Sequence, residues 1–496
     1  MVQWFKTYPK EVLGGRLVRG VQKYISSRKH LLSTQGGMSG DVVAAVKVLS
    51  ILNEANKVSH LIPYTEFYNL AVSDNNMPEF WQEEFMKWID VSSGKATSEL
   101  ISFCQVPFLL TPKAKSQILQ VEADIQKQLS VQKSVFQHTV LHSSSSPFLI
   151  LKVHRSDLIS DTLQQLSSSC PDEFKKPLKV IFDGEDGVDE GGVRKEFFQI
   201  LVHDLFNVAY GMFTYNEETR NFWFNPNSID SEHEFWLVGI IFGLAIYNGA
   251  ILDVHFPKVA YKKMMGLRPS LDDLKDFRPD IAKGLQLLLE FSSDVAETFY
   301  LFFQITYDYF GELHTHDLIP NGCDTPVTNQ NRQRYVDLYV KYLLVDSIDK
   351  QFSAFSKGFQ QVCGGQALQL FHYDELELLI SGLPHYDFDA LERVTVYDGG
   401  YTKESELIVW FWELVREMSL EEKKALLFFT TGNDRAPVGG LGSLQIVIIK
   451  HGGDTDRLPT AQTCFNVLML PEYCSKSKLE NRLKLAISNS TGFGLQ

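Results

Sequence analysis

Leu458-Pro-Thr-Ala-Gln-Thr-Cys464-Phe-Asn-Val-Leu-Met-Leu-Pro471 sets a single cysteine between a polar loop and an apolar run that reads as a strand. A thiol acts as a nucleophile through its thiolate, so the groups around it decide whether it reacts. A second cysteine, Cys474, stands just before a helical pattern of Leu479, Leu483 and Ile487, with Ser477 and Glu480 spaced as a capping box. That helix would turn its positive end toward Cys474. Residue chemistry leaves both cysteines open as nucleophiles, and the ordinary alternative for either is a small buried side chain.

Working outward, the 496 residues carry 61 Asp plus Glu against 47 Lys plus Arg, a net charge of −14. Nucleic acid and anionic membranes need a basic face, so neither is an expected partner. The six cysteines, at 104, 170, 323, 363, 464 and 474, include no Cys-x-x-Cys pair, which argues against a zinc ribbon or a disulfide framework and for reduced thiols. The first residues, Met1-Val-Gln-Trp-Phe-Lys6, lack the pattern of a secretory signal, and the expected location is cytoplasmic, with the nucleus also open. Phe235 to Leu252 run 18 residues without a charge, the lower edge of a membrane span. Gly239, Gly243, Asn248 and Gly249 interrupt the run, so it is expected to be a buried helix, with no membrane function.

Several chemistries lack their motifs. No Gly-x-x-x-x-Gly-Lys-Ser/Thr loop is present, and Gly439-Gly-Leu-Gly442 reads as a turn, so no nucleotide cofactor is expected. His233-Glu234 and His314-Thr-His316-Asp317 lack the further ligands at the right spacing, and no metal is expected. The acidic stretch Asp183 to Glu190 does not fit a calcium loop, and no Gly-x-Ser-x-Gly elbow appears. Cysteine remains the candidate nucleophile.

The organisation is α+β. Residues 1–140 read as a helical N-terminal region: Asp41 is placed to cap a helix bearing Val42, Val46, Leu49 and Leu52, and Thr111-Pro112 to open a longer one. The stripe Ile118, Val121, Ile125, Leu129 and Phe136 of that longer helix is expected to pack within the molecule, with recruitment of a partner as the alternative. Serines 143 to 146 and Pro147 mark a boundary. Beyond it, Leu178 to Phe182, Phe222 to Phe224 and Leu444 to Ile449 read as strands, and Leu407 to Met418 as a helix. Ser381-Gly-Leu-Pro-His-Tyr386 stops a helix on Gly and Pro and is expected to be a hinge.

The segment around Cys464 closely resembles the active-site segment of HECT-type ubiquitin ligases. Gly187-Val-Asp-Glu-Gly-Gly-Val-Arg-Lys-Glu-Phe-Phe198, Leu252-Asp-Val-His-Phe-Pro257, Tyr397-Asp-Gly-Gly-Tyr401 and Phe429 to Gly442 resemble further segments of that family in the same order. The likeness covers residues 145 to 496, and its wording is nearest to the branch of the Angelman-syndrome ligase. The resemblance implies a bilobal domain after the helical region: a large, mostly helical lobe over 141–382 that binds a ubiquitin-conjugating enzyme, a hinge at 383–386 and a small α/β lobe over 387–496. It implies the partners ubiquitin, a conjugating enzyme and protein substrates, no cofactor, and a link to proteasomal degradation.

It also implies roles. Cys464 takes the nucleophile's place, Thr463 stands beside it, and Phe493, fourth from the end of the sequence, matches an aromatic that orders the transfer complex. Arg155, Glu185 and Glu196 match polar positions associated with activity, and Leu285, Phe291, Tyr335 and Tyr339 match the groove for the conjugating enzyme. Leu383, Pro384, His385 and Tyr386 form the hinge about which the small lobe swings. The other five cysteines are then expected to be ordinary buried thiols. One position departs from the pattern: Gln462 stands where the segment usually has His, and it cannot carry a charge or take a proton near neutral pH. A ligase with altered lysine transfer is expected, with a catalytically weak or inactive scaffold as the alternative. A papain-like hydrolase lacks its local signature around either cysteine.

Overall fold

The computed structural model describes residues 9–28, 39–75, 77–95, 102–141, 146–185, 192–309 and 311–489. Two compact units are formed, one from residues 1–147, 175–177 and 364–375, the other from 148–174, 178–363 and 376–496. The architecture is α+β, with a helical N-terminal region and sheets of two to four strands beyond it.

In the first unit, helix α1 (Gly40–Ser59) buries Val42, Val46, Leu49 and Leu52, the four positions of its expected stripe. Asp41 lies inside the first turn and Ser39 takes the cap position, so the carboxylate faces the positive helix end without bonding as a cap. Helices α2 (Pro78–Ser92) and α3 (Pro112–Leu141) follow. Thr111 opens α3 as its spacing predicts, its Oγ1 accepting from the Ala114 N–H (3.4 Å). The apolar stripe of α3 is covered only at its start: Ile118 is fully buried, whereas Leu129 and Phe136 are each 59% exposed. The covered half is where residues 364–375 pack. Lys115 Nζ donates to both oxygens of Glu375 (2.8 and 2.7 Å), and Glu122 accepts the N–H groups of Gln366 and Ala367 (2.9 and 3.1 Å). The Tyr68 hydroxyl and the His372 N–H complete the Glu375 carboxylate, each at 2.5 Å. Such saturation is the condition under which a buried ion pair is tolerated. Burial nevertheless holds Lys115 below the usual lysine range.

The second unit begins with a parallel pair, β1 (Leu149–Val153) and β2 (Leu178–Phe182), joined through helix α4 (Leu158–Ser168). Helix α5 (Gly192–Leu205) and the hairpin β3 (Phe213–Asn216) to β4 (Asn221–Phe224) lead to helix α6 (Glu232–Tyr247). Every residue of α6 from Leu237 to Tyr247 is buried, which is what its uncharged sequence requires. Among the described residues, no helix is long and apolar enough to cross a membrane. Helix α7 (Pro279–Glu290), the hairpin β5 (Gln304–Tyr309) to β6 (Glu312–Asp317) and helix α8 (Arg332–Leu344) follow. Helix α9 (Asp349–Cys363) then lies directly on α6. A Cβ on Gly239 would stand 2.0 Å from the Phe355 carbonyl oxygen, and one on Gly358 2.0 Å from that of Trp236. Only glycine permits so close an approach.

Helix α10 (Tyr373–Ser381) stops at Gly382, whose φ of 73° is the left-handed conformation that the Gly-Pro signal implies. Beyond it come α11 (Phe388–Val394), β7 (Val396–Asp398), α12 (Glu406–Glu417), α13 (Leu420–Thr431), β8 (Val447–Lys450), β9 (Thr460–Gln462), β10 (Val467–Leu470) and α14 (Lys476–Asn489). The sheet order is β7-β8-β10-β9, parallel except for the last pair. One apolar cluster, drawn from residues 388 to 487, fills this C-terminal layer. β8 starts at Val447, later than its sequence suggests; Leu444 closes the 3-10 turn Leu441–Ser443, its N–H donating to the Leu441 carbonyl (3.0 Å). α14 starts earlier than the Ser477 box implies. Asp454 holds the Cys474 N–H (3.1 Å) and Lys478 Nζ (2.9 Å), and Ser475 accepts the Lys478 N–H (3.3 Å). The expectation of five buried thiols also needs correction. Cys104 and Cys363 are buried, but Cys170, Cys323 and Cys474 are exposed free thiols, each at a chain reversal or helix start.

Two stability outcomes follow from this packing. Gly239→Ala or Gly358→Ala should destabilise the protein by at least about 1–3 kcal/mol, because the added methyl meets backbone that cannot move aside. Gly284→Ala, in a helix with open space around the new methyl, should be neutral or stabilising. Thermal unfolding monitored by circular dichroism compares the three. In the first unit, Lys115→Met should cost about 3–5 kcal/mol by leaving Glu375 charged and buried. Adding Glu375→Gln should recover part of the lost melting temperature, and a double variant no more stable than the single one would contradict the stated cause.

Candidate active site

β9 and β10 are joined by Thr463-Cys464-Phe465-Asn466, of which Thr463–Phe465 form one 3-10 turn. Asn466 closes the connection at φ 54°, a left-handed conformation that asparagine tolerates better than most residues. Its backbone oxygen accepts from the Val447 N–H (3.0 Å), and its Nδ2 donates to the Gln445 carbonyl (3.3 Å). The backbone of Cys464 therefore sits in a short turn tied at one end to the start of β8. Gln462 is exposed just before it, and Phe465 is 51% exposed just after it.

Helix α5 lies against this turn. Lys195 Nζ donates to Asn466 Oδ1 (3.3 Å). One helical turn further along the same face is Gln199, whose Oε1 lies 3.3 Å from the point where Gly432 would carry a Cβ. Thr463 Cβ is 3.5 Å from that same point. Gly432, with φ 76°, ends α13 and leaves just enough room for both neighbours. Both ends of the cysteine turn thus rest on α5 or on the cap of α13.

Arg155, Glu185 and Glu196 are brought together. The Arg155 guanidinium donates to Glu185 through Nε (2.5 Å) and Nη2 (3.1 Å), and to Glu196 through Nη1 (2.8 Å). It also stacks over the Phe182 ring, 4.1 Å from its centre. The arginine bond holds the Glu185 carboxyl below its ordinary range, so it stays ionised. Glu196 directly follows Lys195 on α5, so one helix carries both this cluster and the support for the cysteine turn. Two fixed carboxylates against one guanidinium leave a net negative charge that favours a cation such as an ammonium group.

The hinge residues divide in two. Leu383 and Tyr386 are half-buried against the C-terminal cluster, and Pro384 and His385 are exposed. Of the four groove residues, Leu285 (7% exposed) and Tyr335 (3%) are buried. Phe291 and Tyr339 are partly exposed. Tyr335 packs on Tyr339 (ring centres 5.7 Å apart) and Phe291 on Phe299 (5.0 Å). Phe493 lies outside the described residues. Sequence reading gave no role to Lys195, Gln199, Gly432 or Asn466. The four-residue spacing of Lys195 and Gln199 was the only local sign that they share a face.

The arrangement offers a cysteine on a short anchored turn at a sheet edge, a lysine bonded to that turn through Asn466, and a carboxylate pair of which one member, Glu196, stands on the same supporting helix. These parts suit acyl transfer through a thiol. Residues 199–496 match the HECT-domain (ubiquitin-transferase) family. Over 466 residues the chain is 41% identical to the probable E3 ubiquitin-protein ligase HERC4 of Homo sapiens, covering 91% of this chain and 44% of that protein. It is 40% identical over 521 residues to the probable E3 ubiquitin-protein ligase HECTD2 of Homo sapiens, covering 100% of this chain and 66% of the relative. The probable E3 ubiquitin-protein ligase mug30 of Schizosaccharomyces pombe is 33% identical over 515 residues, with 98% and 61% covered. The chain therefore spans less than half the length of HERC4. With a family match that runs over residues 199–496 and takes in the Cys464 turn, the chain belongs to the HECT-domain (ubiquitin-transferase) family.

Proposed function

We propose that the chain is a ubiquitin-protein ligase that accepts ubiquitin on Cys464 from a conjugating enzyme and passes it to a lysine of a protein substrate. The observation that carries this reading is the anchored Thr463–Asn466 turn resting on α5 in a chain of the HECT family. In the first step the Cys464 thiolate attacks the donor thioester and the donor's sulfur leaves as thiolate. In the second, a lysine nitrogen forms the new C–N bond and the C–S bond to Cys464 breaks. No nucleotide is needed, because the donor thioester is already activated. Thr463 flanks the nucleophile, and Phe493 is assigned to ordering the second step. Arg155, Glu185 and Glu196 are assigned to the lysine, whose ammonium the two carboxylates attract.

The conjugating enzyme is assigned to the face of α7 and α8. Support comes from the partial exposure of Phe291 and Tyr339, and from Tyr300, which follows Phe299 and is 77% exposed. Residues 141–382 act as the large lobe, 387–496 as the small one, and Leu383 to Tyr386 as the pivot between them. A cytoplasmic location, with the nucleus also open, is part of the same proposal and is supported by the free thiols; so is the delivery of substrates to the proteasome. Nearness to the branch of the Angelman-syndrome ligase, read from the wording of residues 145 to 496, is part of the same proposal. The exposed Gln462, in the place usually held by His, is the observation that favours the second reading, a catalytically weak or inactive scaffold.

Incubation with charged conjugating enzyme should give a thiol-sensitive ubiquitin adduct that Cys464→Ala abolishes and Cys474→Ala leaves intact; absence of any adduct from the parent chain would sink the ligase reading. Gln462→His should accelerate discharge of the loaded chain onto lysine near neutral pH, read in a single-turnover assay. Equal rates across the pH range would remove Gln462 from the argument.

A further inference from the structure

The loop that follows Gly432 bonds to residues far outside the C-terminal layer. Asn433 Nδ2 donates to the Ile251 carbonyl (3.3 Å), and Asn433 Oδ1 accepts the Arg435 N–H (2.7 Å), which fixes the loop's own shape. Arg435 Nη2 donates to the Gly382 carbonyl (3.1 Å), and Nη1 donates to His255 Nε2 (2.6 Å). Leu383 and Ala436 exchange backbone bonds of 2.7 and 3.3 Å. A Cβ on Gly382 would stand 2.6 Å from the Ala436 carbonyl oxygen, so the loop lies against the hinge backbone itself. Rotation about the hinge requires these bonds to break.

A guanidinium only donates, so His255 must be neutral with a lone pair on Nε2 and its proton on Nδ1. That nitrogen faces Asp253 Oδ1 at 3.9 Å. The charged and titratable groups around the contact are Asp253, Asp434, Arg435, Tyr386 and Tyr261, with Glu421 and Lys424 of α13 acting on Tyr386 and Asp434. Burial and the Arg435 charge hold His255 below the usual histidine range, and Asp253 partly opposes them. Burial and the neighbouring Asp253 raise Asp434. Protonated His255 would offer Arg435 a second cation in place of an acceptor.

We propose that Arg435 is a positioning residue, a latch between the C-terminal layer and the hinge that keeps the Cys464 turn on α5 and thereby favours transfer to lysine over return to the conjugating enzyme. The inference rests on the ligase reading. Its logic is spatial: latched, the turn lies on the helix that carries Glu196, whose carboxylate partners Arg155 and suits an incoming ammonium. In the transfer, the lysine ammonium gives one proton to solvent and its nitrogen then bonds to the thioester carbon. The C–S electron pair returns to Cys464, and the second proton leaves nitrogen for the thiolate. Loading, by contrast, needs the turn free to meet a partner on α7 and α8.

Hydrogen exchange, single-turnover loading and discharge of the loaded chain onto free lysine test the latch on the full chain. Arg435→Ala should speed exchange of the Leu383 and Ala436 amides and slow discharge about tenfold or more, with loading changed by less than about twofold. His255→Gln keeps an acceptor for Arg435 but cannot be protonated, so the ratio of its discharge rate to the parent's should rise as pH falls. Unchanged exchange in Arg435→Ala, equal slowing of loading and discharge, or a ratio flat with pH would each overturn the proposal. A folded parent chain that never loads ubiquitin overturns the ligase reading and the positioning role together, while exchange still reports whether Arg435 holds the hinge, so the two failures are separable.

Discussion

The contact between α6 and α9 is the constraint from which the second unit is built. Gly239 and Gly358 bring the two backbones together, and Cys363 Sγ bonds the Gly243 carbonyl (3.1 Å) where the helices run on. No side-chain layer separates them, so neither helix can slide without a clash of main chain on main chain. The chain that leaves α6 inherits this rigidity. It turns at Gly249 (φ 69°), pairs with the Ile380 carbonyl through the Leu252 N–H (2.8 Å), and presents the Ile251 carbonyl and the His255 ring to the loop after Gly432.

The C-terminal layer is held together differently from the way it is held to its support. Inside, an apolar cluster from Phe388 to Ile487 binds sheet and helices, with burial worth about 25 cal/mol per Å². Outside, the described contacts through Asn433, Arg435, Asn466 and Leu383 are hydrogen bonds, each worth about 1 kcal/mol net, or somewhat more where charged. Such a layer can leave its seat as one body without losing its core. That contrast suits the swing proposed for the small lobe.

Much of this could be read locally. The stripe of α1, the start of α3, the buried uncharged helix α6 and the stop at Gly382 are all written in a few adjacent residues, since each depends on spacing, a cap or a glycine. What failed depended on partners. Half of the α3 stripe is bare because residues 364–375 reach only its beginning, and the start of α14 is tied down by Asp454, which meets Lys478 across 24 residues. The site shows the same division. Cys464 and its turn are legible as a loop between two strands, whereas Lys195 meets Asn466 across 271 residues and Arg435 meets His255 across 180. No spacing rule joins residues so far apart. Leu285 and Tyr335, matched to the groove through the family resemblance, are buried.

The latch reads main chain more than side chains. Asn433 and Arg435 address the carbonyls of Ile251 and Gly382, and Leu383 pairs with Ala436 through backbone alone. The exposed side chains of Pro384 and His385, which take no part in these bonds, are therefore free to drift in evolution or to be replaced in engineering. The path of the backbone, Asn433 and Arg435 that meet it, and His255 that meets the Arg435 guanidinium must be kept for the docked geometry to persist.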